Sequence, residues 1–558
     1  MPLTGSRQAR PTGWVGTVAL AAVPLAVLAV FFVLPVAGMI GRGFWVDGGF
    51  DPLGSLEVLT RSRTHRVLWF TLWSSGAASL ATLALGLPLT FVVYRLRVPG
   101  RRAARAFVLM PFVMPTVVVG VAFRTLLAPS GPLGSLDLDG TPAAIIAAMV
   151  FFNLAVVVRT VGGMWENLDP RREQAAAALG ASPWQVLRTV TLPALAPALI
   201  AAASIVFLFC ATAFGLVLTL GGLRYATVET EIYLLTTQFL DLRAAAALSV
   251  LQLLVVTGLL YAAHVTRTRR EHAVERADAR STVRAVRRTD VPAVVAALVA
   301  LLLVAAPVVT LVVGSLRVGD GWGLDHYRAL DGREAGSTAA LLVPVTEALS
   351  NSWRVAVDAT LLAMVLGCLV AVLVSRRGRS RAERRGLAVL DAVFMLPLGV
   401  SAVTLGFGFL ITLDRPPLDL RTSPVLVPIA QAMVALPLVV RTLTPVLRSI
   451  DPRQRQAASS LGASPLTVLR TVDLPVVWRP LLAATGFAFA VSLGEFGATS
   501  FLARPEAPTM PVLIFELVSR PGADNYGMAL AASVVLGLVT VAIMSAVERL
   551  RLGSMGAF

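Results

Sequence analysis

The chain contains no lysine: all 48 of its basic residues are arginine. A phosphate loop of the form G-x-x-x-x-G-K-[ST] needs a lysine to reach the β- and γ-phosphates, so this polypeptide supplies no such ATPase site. Cysteine is nearly absent too. Cys210 and Cys368 lie far apart inside apolar stretches, a pattern that excludes a disulfide framework or zinc cluster. His65, His264, His272 and His326 are scattered without ligand spacing, and no metal site is expected. Only 14% of residues are charged. There is no H-E-x-x-H, no pair of catalytic carboxylates and no Ser/His constellation, which argues against an intramembrane enzyme. Basic residues are not interleaved with aromatics on a soluble face, so nucleic acid is not an expected partner.

What the chain has in quantity is apolar sequence: 56% of its 558 residues are hydrophobic and the mean hydropathy is +0.77. Such a composition predicts an all-α polytopic membrane protein, since a lipid-exposed backbone must satisfy its own hydrogen bonds. Apolar runs fall at about 14–40, 67–94, 106–127, 142–161, 196–220 and 244–265. Six more follow at about 291–316, 353–374, 387–413, 425–446, 480–502 and 527–547. The first run is longer than the core of a cleaved signal peptide and is expected to span, kinked at Pro24 and Pro35. Between the two sets lies 267–290, with eight Arg and four acidic residues, a solvated linker by composition. The expectation is about twelve spans in two halves, 1–266 and 291–558, joined by the linker 267–290.

The halves are copies. Residues 169–193 read D-P-R-R-E-Q-A-A-A-A-L-G-A-S-P-W-Q-V-L-R-T-V-T-L-P, and 451–475 repeat them at an offset of 282 with 18 of 25 positions identical. A repeat of this kind decides the architecture. Within each copy an Ala-rich helix runs into Gly180 or Gly462, where a left-handed cap is cheapest. Ser182-Pro183 and Ser464-Pro465 then read as an N-cap followed by proline at the first helical position. Pro193 and Pro475 are expected to end the second helix. These helix-turn-helix elements are too polar to span and too apolar to be free loops.

Arginine counts orient the chain. In a twelve-span arrangement one side holds both termini, the stretches 95–105 and 376–385, both repeated elements and the linker, with 33 Arg; loops on the other side hold 13. The positive-inside rule places the first side, and so both elements, in the cytoplasm. The register extends further: Phe214-Gly215 matches Phe496-Gly497, and Thr227 with Ile232 matches Thr509 with Ile514, at the same offset. Six spans per half make the copies parallel, related by an axis along the membrane normal.

At this level the element resembles the cytoplasmic signature of binding-protein-dependent (type I) ABC importer permeases, E-A-A, then Gly, then a hydrophobic residue and L-P. It falls on Gln174-Ala175-Ala176, Gly180, Val190 and Leu192-Pro193, and again on Gln456-Ala457-Ala458, Gly462, Val472 and Leu474-Pro475. Glutamine stands at the acidic position in both copies. The resemblance implies a coupling helix in each half, seated in a cleft of a separate ATPase subunit. The implied contact residues are Gln174, Ala175, Ala176, Leu179, Gly180, Ala181, Ser182 and Pro183, with Gln456, Ala457, Ala458, Leu461, Gly462, Ala463, Ser464 and Pro465. It also implies two cytoplasmic ATPase subunits that use the ATP, no cofactor in this chain, an extracytoplasmic binding protein, and a multi-pass location in the cytoplasmic or inner membrane with both termini cytoplasmic. The fused halves look most like thiamine and ferric-iron permeases. T-L-G-G at 219–222 and T-E-I-Y at 230–233 look most like the thiamine type, and S-L-G-E-F-G at 492–497 resembles thiamine, molybdate and sulfate permeases more than ferric ones; thiamine leads, with ferric iron, sulfate and molybdate as alternatives.

A few polar residues fall in or near the runs. Glu495 either faces the solute pathway or hydrogen-bonds a kinked backbone near Gly494 and Gly497. Arg159 and Arg441 read as interfacial anchors or supports of the adjoining elements, Asp358 and Asp391 as structural, and Asn153 as a bond across helices. Gly86, Pro88 and Gly367 read as packing and kink devices. An ion-coupled secondary transporter is the reading from another class; it would need acidic or histidine relays in the spans and leaves both elements unexplained.

Overall fold

Long apolar runs with no water to satisfy their backbone have to coil, and they do. The computed structural model describes residues 21–46, 49–268, 283–331, 343–375, 381–414, 416 and 418–552. Arg7, Arg10, His272, most of the linker and the chain's last residues lie outside them. Among the described residues ten helices are long and apolar enough to cross a membrane, beginning with Ala21–Phe44, Ser62–Arg95 and Pro142–Glu166. Arg101–Val113 and Thr116–Leu127 make an eleventh crossing only if taken together, because the chain turns by 106° between them. Against an expectation of about twelve, ten or eleven segments among the described residues are long and apolar enough to cross.

The first of these breaks has a local cause. Pro115 pushes Met114 out of the helical region, to φ −65°, ψ 137°, and the helix breaks there. In the second half the run 387–413 is divided likewise, into Arg381–Met395, a short turn at Leu396–Gly399, and Ala402–Thr412. The runs 196–220 and 480–502 also stop early, at Ala211 and Leu493, and are followed by short helices that include Val228–Thr237 and Met510–Ser519. Hydropathy cannot see these breaks, since broken and straight segments are equally apolar.

The chain forms two compact units that cut across the sequence halves. One comprises Met1–Gly38, Trp353–Leu493 and Ile543–Phe558; the other comprises Met39–Ser352 and Gly494–Ala542. In the first, the N-terminal helix packs against second-half helices, with Phe31 and Phe409 ring centroids 6.0 Å apart. In the second, Val291–Ser315 lies along the first-half helices Ser62–Arg95 and Thr116–Leu127. Each half thus lends its first helix to the unit that holds most of the other half's helices. Residues 1–266 expressed alone should accordingly be recovered poorly, and co-expression with 267–558 should restore a well-behaved particle by size-exclusion chromatography. Equal yield of 1–266 alone would contradict this.

The repeat governs packing inside each unit. Ser62–Arg95 meets Pro142–Glu166 at Gly86, where an added Cβ would sit 2.7 Å from Val157 Cγ1. The equivalent Gly367 would meet Val439 Cγ1 at 2.6 Å. Both glycines therefore act as close-approach points between helices, as small residues do in lipid. A feature outside the repeated element recurs as well: each half's first helix leads into a two-stranded hairpin, pairing Trp45 with Phe50 and Arg317 with Trp322.

At the Ser62 end of the long helix, three ion pairs join distant segments. Arg61 meets Asp241 at 2.8 Å, Arg63 grips both oxygens of Glu231 at 2.5 and 2.8 Å, and Arg243 meets Asp51 at 2.7 Å. Asp51 is held below the usual aspartate range by the Gly54 amide and then by Arg243. For Asp241, burial pushes up, but Arg61 and the Ala244 amide outweigh it and the net shift is downward. A lowered carboxylate pKa stabilises the fold above the ordinary aspartate value of about 3.9 and loses that contribution as pH falls through the folded value. Thermal stability should drop as pH falls below about 4, and Asp51→Asn/Asp241→Asn should flatten that drop.

Candidate functional site

The two repeated elements fold alike, and their shape follows from their punctuation. The first has a helix at Arg171–Ala178, opened by the Asp169 carboxylate accepting from the Arg171 amide at 2.9 Å. Its last turn closes with Ala181 N donating to Ala176 O at 3.1 Å, and Gly180 takes φ +88°. This is the left-handed cap that glycine makes cheaply. Ser182 then starts Pro183–Val186 through a reciprocal capping box: its amide donates to Gln185 Oε1 at 2.7 Å, and its hydroxyl accepts from the Gln185 amide at 3.3 Å. The second copy, in the other unit, repeats the glycine cap and the serine start. Its helix is Pro452–Ser460, Gly462 has φ +84°, Ala463 N donates to Ala458 O at 3.1 Å, and Ser464 Oγ accepts from the Thr467 amide at 3.3 Å.

One expectation is corrected here. Pro193 and Pro475 do not end the second helix. Each copy passes through a five-residue π-helical segment, Leu187–Thr191 or Leu469–Asp473, and continues as Leu192–Ala211 or Leu474–Leu493. The wider i→i+5 turn rearranges the amide pattern just where proline offers no N–H, so the helix absorbs the residue instead of stopping.

What the elements present outward is apolar. Leu179 is 90% exposed and Leu461, its equivalent, 89%. Gln174, Ala175, Ser182 and Pro183 are also exposed, as are Gln456, Ala457, Gly462 and Ser464, while Ala176, Ala181, Ala458 and Ala463 are half-buried. A leucine held at the tip of a rigid turn and bared to solvent has no role in this chain's own packing. Trp184 and Leu466, at the next equivalent positions, are exposed as well.

The base of each element is tied down, by different chemistry. In the first, Glu173 accepts from Thr191 Oγ1 at 2.9 Å and from Arg95 Nη2 at 2.5 Å. In the second, the equivalent positions hold Arg455 and Asp473, paired at 2.7 Å, and Arg455 also donates to Leu447 O at 3.1 Å. The acidic residue missing at Gln174 is thus found one position earlier. Sequence reading missed this tie, yet a signal existed: the residue pairs Glu173/Arg455 and Thr191/Asp473 are two of the seven differences between otherwise matching copies.

The described end of the linker docks beside the first tie. Arg284 N donates to Arg95 O at 3.0 Å and Arg97 N to Arg284 O at 2.8 Å. The Arg284 guanidinium grips Asp290 at 2.7 and 2.8 Å, a pairing that raises its pKa above the ordinary arginine value. By composition this stretch reads as solvated; paired, it is part of the fold.

The remaining polar residues are structural in their contacts. Glu495 is buried and turned onto its own chain, accepting from the amides of Ala498 at 2.8 Å and Thr499 at 3.1 Å and from Thr499 Oγ1 at 2.5 Å. Asn153 bonds across helices to Cys210 Sγ at 3.4 Å, and Asp391 pairs with Arg448 at 3.3 Å. Arg159 and Arg441 are exposed near their helix ends.

The chain matches the family described as binding-protein-dependent transport system inner membrane component twice, over residues 83–270 and 363–551, each match enclosing one element. It is 27% identical over 514 residues, 90% of each chain, to the thiamine transport system permease protein ThiP of Brucella abortus (strain 2308). It is 26% identical to the protein of the same name from Escherichia coli (strain K12), over 87% of this chain and 88% of that one. The sulfate transport system permease protein CysT of Escherichia coli (strain K12) is 32% identical over 221 residues, 38% of this chain and 80% of its own. With both halves matched at the segments that carry the paired elements, the chain belongs to the binding-protein-dependent transport system inner membrane component family.

Proposed function

We propose that this ABC importer permease carries thiamine and that each repeated element couples it to one ATPase subunit. The observation that carries the coupling reading is the matched pair of bare leucines, Leu179 and Leu461, on rigidly capped turns. An exposed apolar tip backed by a fixed helix is the form an interface anchor takes before its partner arrives. Two equivalent tips suit two copies of one partner fold. The arginine distribution supports a cytoplasmic side for both tips, the linker and the termini, where ATP is found. Hydrolysis then occurs on the partner, consistent with a chain that has no lysine for a phosphate loop.

Transport in this reading is alternating access. Nucleotide-driven closure of the two ATPase subunits moves the elements, and the helices continuous with them, Leu192–Ala211 and Leu474–Leu493, carry the movement into the membrane. Coupling requires that the ATPase bind the two permease states with different affinity. Thiamine as the solute rests on the full-length likeness to thiamine permeases. Sulfate is the second reading, favoured by the higher identity to a sulfate permease over a shorter stretch.

The test is reconstitution in lipid nanodiscs with the ATPase subunit and a thiamine-loaded binding protein. Stimulated ATP hydrolysis with thiamine, and none with a sulfate-loaded binding protein, is the expected result. Stimulation by sulfate alone would overturn the solute, and no association with an ATPase subunit would overturn the coupling reading.

A further inference from the structure

Residues at equivalent positions of a two-fold repeat can touch only where the two-fold relation passes between them. Phe214 and Phe496 are such a pair, 282 positions apart. Their rings are stacked, with centroids 5.3 Å apart and planes 18° from parallel, and both are buried. Each is backed by the ring at a second equivalent pair of positions. Tyr233 packs on Phe214 at 5.3 Å and Phe515 on Phe496 at 5.4 Å, and 233 and 515 are again 282 apart. All four lie within one compact unit. The short helices that hold the outer rings are anchored alike: Val228 N donates to Thr71 Oγ1 at 3.1 Å, and Met510 N to Ser352 Oγ at 2.7 Å. The four rings are therefore a local two-fold cluster.

Two equivalent halves that share a single solute path must place it on the axis between them, because any path off the axis would occur twice. The stacked rings lie on the local two-fold of the one unit that holds them, where such a path would pass. Beside them is a cavity of about 290 Å³ that reaches the rings of Tyr233, Phe496 and Phe515 and is also walled by Arg504, Glu516 and Arg520. No hydrogen bond joins the two stacked rings, so parting them breaks only ring contacts. The backbone behind each is fixed: Thr227 Oγ1 donates to Ala213 O at 3.0 Å, and Glu495 caps the turn after Phe496.

We propose that Phe214 and Phe496, braced by Tyr233 and Phe515, are the closed gate of the solute path, and that the cavity is the vestibule ending at it. This rests on the permease reading but not on the identity of the solute. Glu495 acts on the path indirectly, by holding the turn that positions Phe496.

The test is passive efflux of rubidium ion from proteoliposomes holding the permease assembled with its ATPase subunits, without nucleotide or binding protein. Wild type should be tight, and Phe214→Ala/Phe496→Ala should release rubidium at least about tenfold faster. Phe123→Ala/Phe151→Ala removes an equally buried ring pair, centroids 5.4 Å apart, that is not repeat-equivalent, and should stay tight. An assembled Phe214→Ala/Phe496→Ala complex as tight as wild type would overturn the gate, as would equal leakage from the Phe123/Phe151 pair. If the alanine pair fails to assemble, Phe214→Leu/Phe496→Leu decides: faster efflux supports the gate and wild-type tightness overturns it. Failure of thiamine to stimulate the wild-type complex would sink the solute assignment and leave this result standing.

Discussion

Leu179→Asp/Leu461→Asp is expected to abolish copurification of ATPase subunits and stimulated ATP hydrolysis while leaving the isolated permease as stable as wild type. The two leucines are 90% and 89% exposed, and surface substitutions away from structural features usually change stability by no more than about 0.5 kcal/mol. An apolar anchor that fills a partner's cleft is worth on the order of 2 kcal/mol or more, about thirtyfold in affinity. Placing a carboxylate in that cleft also adds an unpaired buried charge. Because the tips are equivalent, each single variant should lose one contact and retain the other, giving partial copurification. Thermal denaturation of the permease alone supplies the control. Full copurification of the double variant would show that these tips face something else.

Much of this arrangement was legible in the residues because punctuation is local chemistry. Gly180 and Gly462, Ser182 and Ser464, Pro183 and Pro465 each specify a backbone conformation from within a few positions, and the fold uses the glycine caps and serine starts as read. Pro193 and Pro475 misled because a proline's cost depends on the turn in front of it, and a π-helical segment is not visible in composition. The spans were legible as apolar mass but not as shape. Pro115 breaks its run, whereas Pro88 sits inside an unbroken 34-residue helix, and only surrounding packing separates the two cases. The lending of first helices between units is a long-range choice that leaves no local mark. Glu495 could be read two ways because burial alone does not say where a carboxylate turns; its bonds to Ala498 and Thr499 do. The ring cluster was half visible, since the Phe214/Phe496 register was plain in the sequence, but that the equivalent rings touch required coordinates.

The second large effect is expected at the base of the first element, where Glu173→Ala should lower both the melting temperature and the stimulated ATPase rate. Its partner Arg95 has a side chain only 5% exposed, and the Arg95 Nη1 is already buried without a hydrogen-bond partner. Removing one member of a buried pair strands the other charge, typically at a cost of about 3–5 kcal/mol. Arg95→Met/Glu173→Ala should recover most of that stability, since an apolar replacement of both partners is often neutral. It should not recover stimulation, because the element would no longer be tied to the long helix ending at Arg95. In the corresponding pair of the second copy the arginine is more exposed, 29% against 5%, and the carboxylate less, 12% against 28%; Arg455→Ala strands Asp473, which is less buried than Arg95, and should cost less. Transplanting that pairing into the first copy by Glu173→Arg/Thr191→Asp should fail, because it sets a second guanidinium beside Arg95. Recovery of full stimulation in that transplant would mean that the tie between the two equivalent positions, and not the bond to Arg95, holds the element in place.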